Sequence, residues 1–297
     1  RDIGIYISDE WLRKYMIKIW KRESKRQRDM TIRHRRERKH YTWEMLQYDG
    51  SYHRWFEDRI DEEFCLLVAV DDATSEIMHM VIWENEWYDA TIRFWIWYII
   101  VHWLPESIYV DRFATYKVNH KKAIYDKSMI TNFERAMTRL WCIVIKANSP
   151  QAKGRVERIN QTLQDRLIKK MRLEGISNVE EANEYIKNIY IPRHNRKFKV
   201  EARKSWDKHK KLGEDIINNL LWICAIDYSR IIQNDYIVTY KTRYLQLEPK
   251  NITRVYTRTK CIVRENINGE IQVIVNDKII PHKEIDAWRI KQKKAEY

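Results

Sequence analysis

The chain has 297 residues, 44% of them hydrophobic, with a formal net charge of +14. That apolar content excludes an intrinsically disordered chain and supports one large or two to three small domains. The basic excess points to a polyanion, with nucleic acid ahead of an anionic membrane surface. The longest apolar run, Phe94 to Leu104, is too short to span a bilayer and contains His102. Cys65, Cys142, Cys224 and Cys261 are scattered with no C-x-x-C pair, which supports neither a zinc site nor a disulfide framework. Cys65 and Cys142 read as small core residues, and a reducing, cytoplasmic setting is expected.

Residues 8–20, SDEWLRKYMIKIW, predict a helix capped by Ser8 or Asp9. Residues 21–40 then carry ten cations against three acids, which reads as a basic linker or a phosphate-contacting arm. A mixed pattern follows. EMLQYDGSYHRWF (44–56), EFCLLVAVDDAT (63–74) and EIMHMVIW (76–83) predict three strands, the last two joined by a Thr74–Ser75 turn. Tyr88 to Leu104 predicts a long buried helix stopped before Pro105, with Trp95, Trp97, Tyr98 and Trp103 as core. SIYVD (107–111) predicts a fourth strand, Asn132 to Leu140 a helix and WCIVIKA (141–147) a fifth strand.

The next helix opens with Ser149 as cap and Pro150 in the first turn. Its apolar face is Val156, Ile159, Leu163, Leu167 and Met171. Residues 178–212 predict further polar helix, and past Asp227 the pattern turns to short alternating strands with a hairpin at Asn268–Gly269.

Three acids occupy special places in this order. Asp49 lies in the first strand, Asp111 ends the fourth, and Glu157 stands in the first turns of the helix after the fifth. Acids at strand ends and on an adjoining helix can converge at one sheet edge. Without His or Cys they form a hard-oxygen set suited to Mg²⁺ or Mn²⁺, and two such ions can run in-line phosphoryl transfer. Glu157 also has a simpler reading, a surface ion pair with Lys153 one turn earlier. Asp71 and Asp72 read as turn formers, and His53, His79, His102 and His194 as ordinary residues.

The segments QYDGSYHRWFE (47–57), LLVAVDDATSEIM (66–78), IYVDRFATYKVN (108–119), TNFERAM (131–137), KANSPQAKGRVERINQTLQDRLIKKMRLEGIS (146–177) and HNRKF (194–198) carry a resemblance. The chain resembles bacterial insertion-sequence transposases of the DDE class, of the ISNCY type, with a ribonuclease-H-like integrase catalytic core. The resemblance implies a mixed α/β fold with a five-stranded sheet in the order 3-2-1-4-5, flanked by helices. It implies that Asp49, Asp111 and Glu157 are the catalytic, metal-binding acids, with Mg²⁺ or Mn²⁺, two ions, as cofactor.

It further implies four regions: a helix-turn-helix remnant at 1–20, a basic arm at 21–42, the catalytic core with trailing helices at 43–212, and a small all-β domain at 213–297. The implied activity is metal-dependent cleavage and strand transfer of element DNA. The implied partners are element ends, target DNA and further copies of the chain, with no membrane, in a bacterial, nucleoid-associated setting. Lys153, Arg155, Arg158, Arg33, Arg35, Arg36 and Arg38 are the expected DNA contacts. The alternatives are a catalytically inactive DNA-binding derivative or repressor, and a ribonuclease-H-like nuclease. Two departures stand out: Trp43 where the family commonly has glycine, and Phe113 where a histidine is usual near the second aspartate.

Overall fold

The computed structural model describes residues 8–19, 37–86, 88–111, 128–147, 154–248 and 255–285; for residues 111, 128–131, 147, 154 and 155 it describes the backbone alone. The chain divides between Arg36 and Glu37 into two compact units. In the first, α1 (Asp9–Lys18) is capped by Ser8, whose hydroxyl accepts the Trp11 amide at 3.1 Å. Trp11 and Tyr15 stack one turn apart with ring centroids 5.3 Å apart.

In the second unit, β1 (Tyr41–Thr42) precedes β2 (Leu46–His53), β3 (Phe64–Asp71) and β4 (Ile77–Trp83). Then follow α2 (Tyr88–His102), β5 (Ser107–Asp111), α3 (Ser128–Arg139), β6 (Ile143–Ala147) and α4 (Gly154–Leu173). Five strands form one sheet in the order β4-β3-β2-β5-β6. Counted from β2, this is the 3-2-1-4-5 order that the resemblance implies. β2–β3 and β3–β4 pair antiparallel, and β5 pairs parallel with both β2 and β6.

Every residue of β3 is buried. Its alternate side chains serve two cores, as a strand covered on both faces requires. Leu67 and Ala69 join Leu46, Tyr48, Trp95, Tyr98 and Phe133 under α2 and α3. Leu66, Val68 and Val70 join Val156, Leu163, Leu167 and Met171 of α4 on the other face. The apolar stripe expected on α4 therefore packs as expected. Ser149 and Pro150, its expected start, lie outside the described residues. Trp95 and Tyr98 are core, but Trp103 is 43% exposed, because it stands beyond the end of α2 with φ +68°.

The trailing helix is α5 (Val179–Tyr185), a π-turn (Ile186–Tyr190) and α6 (Ile191–Phe198). The helical expectation for 178–212 fails past Phe198. Residues 199–211 run extended, with β7 (Lys204–Asp207) parallel to β1. Their backbone partners lie far away in sequence: Val200 donates to the Thr74 carbonyl, Lys204 to His40 and Lys208 to Thr42. Lys210 and Leu104 exchange a pair of backbone bonds. Such long-range partners satisfy the chain without helix.

The strands expected past Asp227 are present, but the first part of the region 213–297 is helical rather than β. α7 (Glu214–Asn218) and α8 (Leu220–Ile223) come first, and Leu220 and Cys224 pack into the core under α2. Strands begin at Ile226. β8 (Ile226–Ile231), β11 (Lys260–Glu265), β12 (Ile271–Val275) and β13 (Lys278–Ile280) form one sheet. β9 (Ile237–Tyr240), β10 (Arg243–Leu247) and β14 (His282–Ile285) form another. The two share a core that includes Val238, Leu245, Val263 and Val273. The β11–β12 hairpin turns at Asn268–Gly269, with Gly269 at φ +78°.

Candidate active site

β2 is the strand on which the site is built. Its even-numbered side chains Leu46 and Tyr48 enter the core under α2. Its odd-numbered ones, Gln47, Asp49 and Ser51, meet α4. Gln47 is buried, and its Oε1 accepts the Val156 amide at 3.3 Å. Asp49 is half-buried, and its Oδ2 accepts from Asn160 Nδ2 at 2.9 Å. Gln164 Nε2 donates to Ser51 Oγ at 3.0 Å. The fully buried Val156, Leu163, Leu167 and Met171 hold the helix down along this row.

Asp111 ends β5, in register with Ala147 of β6. Leu46 pairs with Ile108 and Gln47 with Tyr109. Counting two residues further along both strands reaches Asp49 and Asp111, so the two aspartates hold the same register level on neighbouring strands, which run about 4.8 Å apart where they pair. The Asp111 side chain lies outside the described residues. Glu157 stands in the first turn of α4 and is exposed. It precedes Asn160 by three residues and so shares its side of the helix. The exposed turn that bears Glu157 thus adjoins the residue that holds Asp49. The positive end of the helix dipole favours a carboxylate there.

Of the expected DNA contacts, Arg158 is exposed beside Glu157. Lys153, Arg33, Arg35 and Arg36 lie outside the described residues, as does the Arg155 side chain. The ion pair between Glu157 and Lys153 falls outside them too. Arg38 donates to the Ala73 carbonyl at 3.1 Å, at the turn after β3.

Asp71 serves its turn, as expected. Its carboxylate accepts the Trp43 amide at 2.8 Å, and the Thr74 amide and hydroxyl at 2.9 and 2.7 Å. Burial raises its pKa above the usual carboxylate value. Asp72 does more than the turn reading allowed. It accepts the Lys39 amide at 2.8 Å and Gln47 Nε2 at 2.5 Å, and so braces the glutamine that meets α4. His79 and His194 are buried core residues, and burial lowers the pKa of His79 to about 3 and that of His194 to about 4.

Sequence reasoning missed Gln47, Asn160 and Glu86. Asn160 was legible as a polar residue interrupting the stripe Val156–Leu163–Leu167 one turn after Glu157. Glu86 is buried on the opposite face of β2, and a Cβ at Gly50 would stand 2.3 Å from its Oε2. Gly50 is the space this carboxylate occupies.

Among the described residues, no three His, Cys, Asp or Glu side chains group as a metal site, and Asp111 is not among the side chains so described. What is present fits a hard cation. The donors are oxygens, and Asn160 Oδ1 is a buried acceptor beside Asp49 with no partner among the described residues.

No family model matches the chain. It is 33% identical over 285 residues to y4bF of Sinorhizobium fredii, assigned as a transposase, covering 95% of this chain and 61% of that protein. It is 30% identical over 253 residues to the transposase for insertion sequence IS1202 of Streptococcus pneumoniae, covering 84% of this chain and 52% of that protein. Solved structures with some likeness include the HTLV-2 integrase catalytic core domain in complex with magnesium, at 17% identity and a TM-score of 0.39, covering 57% of this chain and 98% of that one. Another is a simian T-cell lymphotropic virus intasome with a PP2A regulatory subunit, at 14% identity and a TM-score of 0.42, covering 88% of this chain and 85% of that one. Over nearly its whole length the chain is therefore a relative of bacterial transposases, and it spans between half and two thirds of the length of the two it matches.

Proposed function

We propose that the chain is a DDE transposase that cleaves DNA at the ends of an insertion sequence and joins them to target DNA. The observation that carries this reading is the hydrogen bond from Asn160 to Asp49, which seats the Glu157-bearing end of α4 on the strand whose neighbour ends in Asp111. Asp49, Asp111 and Glu157 would hold one or two Mg²⁺ or Mn²⁺ ions. When bound, the ions supply Lewis-acid stabilisation of charge on the attacking and leaving oxygens.

The chain's own residues do the rest. The three carboxylates confine negative oxygens to one sheet edge, where a cation-free site would repel phosphate. Lys153, Arg155 and Arg158 hold the DNA phosphates against α4, whose N-terminal amides also favour anions. In cleavage, water displaces the 3′-oxygen of the element end from phosphorus, leaving a free 3′-hydroxyl. In joining, that hydroxyl displaces a 3′-oxygen of the target strand, so the number of phosphodiester bonds is conserved. No covalent enzyme intermediate is needed. Several copies acting on paired ends, in a nucleoid-associated setting, complete the reading.

The test is Glu157→Gln against wild type, with end-DNA binding and Mg²⁺- or Mn²⁺-dependent cleavage measured side by side. Cleavage should fall by several orders of magnitude while binding holds or tightens. Equal cleavage by both proteins refutes the triad. Binding without cleavage by either protein favours the DNA-binding derivative.

A further inference from the structure

The row of contacts between β2 and α4 has a regular spacing. Gln47, Asp49 and Ser51 are every second residue of the strand, and Val156, Asn160 and Gln164 every fourth of the helix. Two strand residues rise about 6.7 Å and four helical residues about 6 Å, so the two series nearly match over three rungs. The long amides of Gln47 and Gln164 sit at the outer rungs, where the mismatch accumulates and reach is needed. The short pair Asp49–Asn160 sits at the centre, where it is smallest.

We infer that this three-rung polar ladder sets the register of α4 on β2, and that Asn160 is a positioning residue for the acidic site. The functional half of this inference rests on the metal-dependent reading above. An apolar stripe tolerates small slips of a helix, because its side chains pack in more than one arrangement. The stripe fixes which face of α4 meets the sheet, but a slide of the helix by about one residue's rise, roughly 1.5 Å, keeps that face buried while carrying Glu157 off the level of Asp49. Buried hydrogen bonds with one satisfied arrangement penalise that slip, the use of buried polar groups with the best physical support. Asn160 is 7% exposed, and its Nδ2 is committed to Asp49 Oδ2. That bond fixes the carboxylate's rotation. It also leaves Asn160 Oδ1 as a buried acceptor beside the site, without a partner among the described residues.

The test compares wild type, Asn160→Leu, Asn160→Ala and Gln164→Leu as the full chain without DNA. Leucine fills the space without donating, and alanine guards against a variant that fails to fold by overpacking. Two readouts are taken: hydrogen exchange of the α4 amides from Val156 to Asn160, and Mn²⁺ binding by electron paramagnetic resonance. Both Asn160 variants should speed exchange in those amides roughly tenfold or more, as loss of a hydrogen bond to a charged group predicts, while β3 amides stay unchanged. Their Mn²⁺ affinity should fall about ten- to a hundredfold, as for other groups that orient a metal ligand. Gln164→Leu, at an outer rung, should change it less than about twofold.

Unchanged exchange and unchanged Mn²⁺ binding in both Asn160 variants overturn the inference. Faster exchange in a protein whose wild type binds no Mn²⁺ supports the ladder and refutes the metal reading instead. Equal Mn²⁺ losses for Asn160→Leu and Gln164→Leu overturn the central role of Asn160.

Discussion

Replacing Trp141 with glycine should stabilise the protein. α3 ends in a Schellman motif: the Cys142 amide donates to the Met137 carbonyl and the Trp141 amide to the Thr138 carbonyl, both at 2.9 Å. The motif places Trp141 at the left-handed position, and its φ is +69°. A side chain with a Cβ costs about 1–2 kcal/mol there. Glycine returns about 0.5–1 kcal/mol of that through its greater unfolded-state freedom. The indole is 78% exposed, so the area it buries lies within what a compact denatured chain already buries, and little packing is lost. The net gain is about 0.5–1 kcal/mol, or roughly 1–3 °C in Tm for a chain of this size. Reversible denaturant unfolding of wild type, Trp141→Gly and Trp141→Ala measures it. Alanine keeps the strained φ and should gain nothing. A loss of stability in Trp141→Gly, or an equal gain in Trp141→Ala, refutes the reasoning.

Trp43 has φ +61° but the opposite expectation. Its ring stacks on His209 at 3.8 Å and its Nε1 donates to Met78 Sδ, so Trp43→Gly should lower stability by about 1–3 kcal/mol in the same assay. Gly50→Ala should cost about 1–3 kcal/mol by forcing a Cβ onto the buried Glu86 carboxylate, and equal unfolding midpoints would sink that claim. Burial holds the pKa of His79 and His209 to about 3 and that of His194 to about 4, against an ordinary 6.5. The unfolded chain therefore takes up protons first. Stability is fully present above pH 6.5 and is lost as pH falls below it, and His79→Phe should reduce the slope between pH 6.5 and 5 by up to one proton. A flat stability profile over that window contradicts this. Replacing Arg33, Arg35 and Arg36 with alanine should weaken binding to all duplexes and flatten the salt dependence by a slope of roughly one per lost contact. An unchanged slope makes the arm a linker only.

Periodicity in the sequence was enough to find the sheet's strands and the helices that cover it. β3 reads as a strand because FCLLVAV is a short unbroken apolar run closed by a turn signal, and α4 because its apolar side chains recur at helical spacing. The three acids were legible as candidates because each falls at a strand or helix position where chemistry can gather. These are local properties, written in neighbouring residues.

What the tertiary structure alone decided has distant causes. Residues 199–211 are extended because the carbonyls of His40, Thr42, Thr74 and Leu104 accept their amides, and nothing in their own composition signals that. Asp72 braces Gln47 across 25 positions, and Asn160 holds Asp49 across 111. Trp43 and Trp141 look alike in the sequence and sit at similar positive φ, yet one ring is packed on His209 and the other is left to solvent. Local pattern fixes which element a residue belongs to. Which partner its polar atoms meet depends on where another part of the chain arrives, and that is settled only when the elements pack.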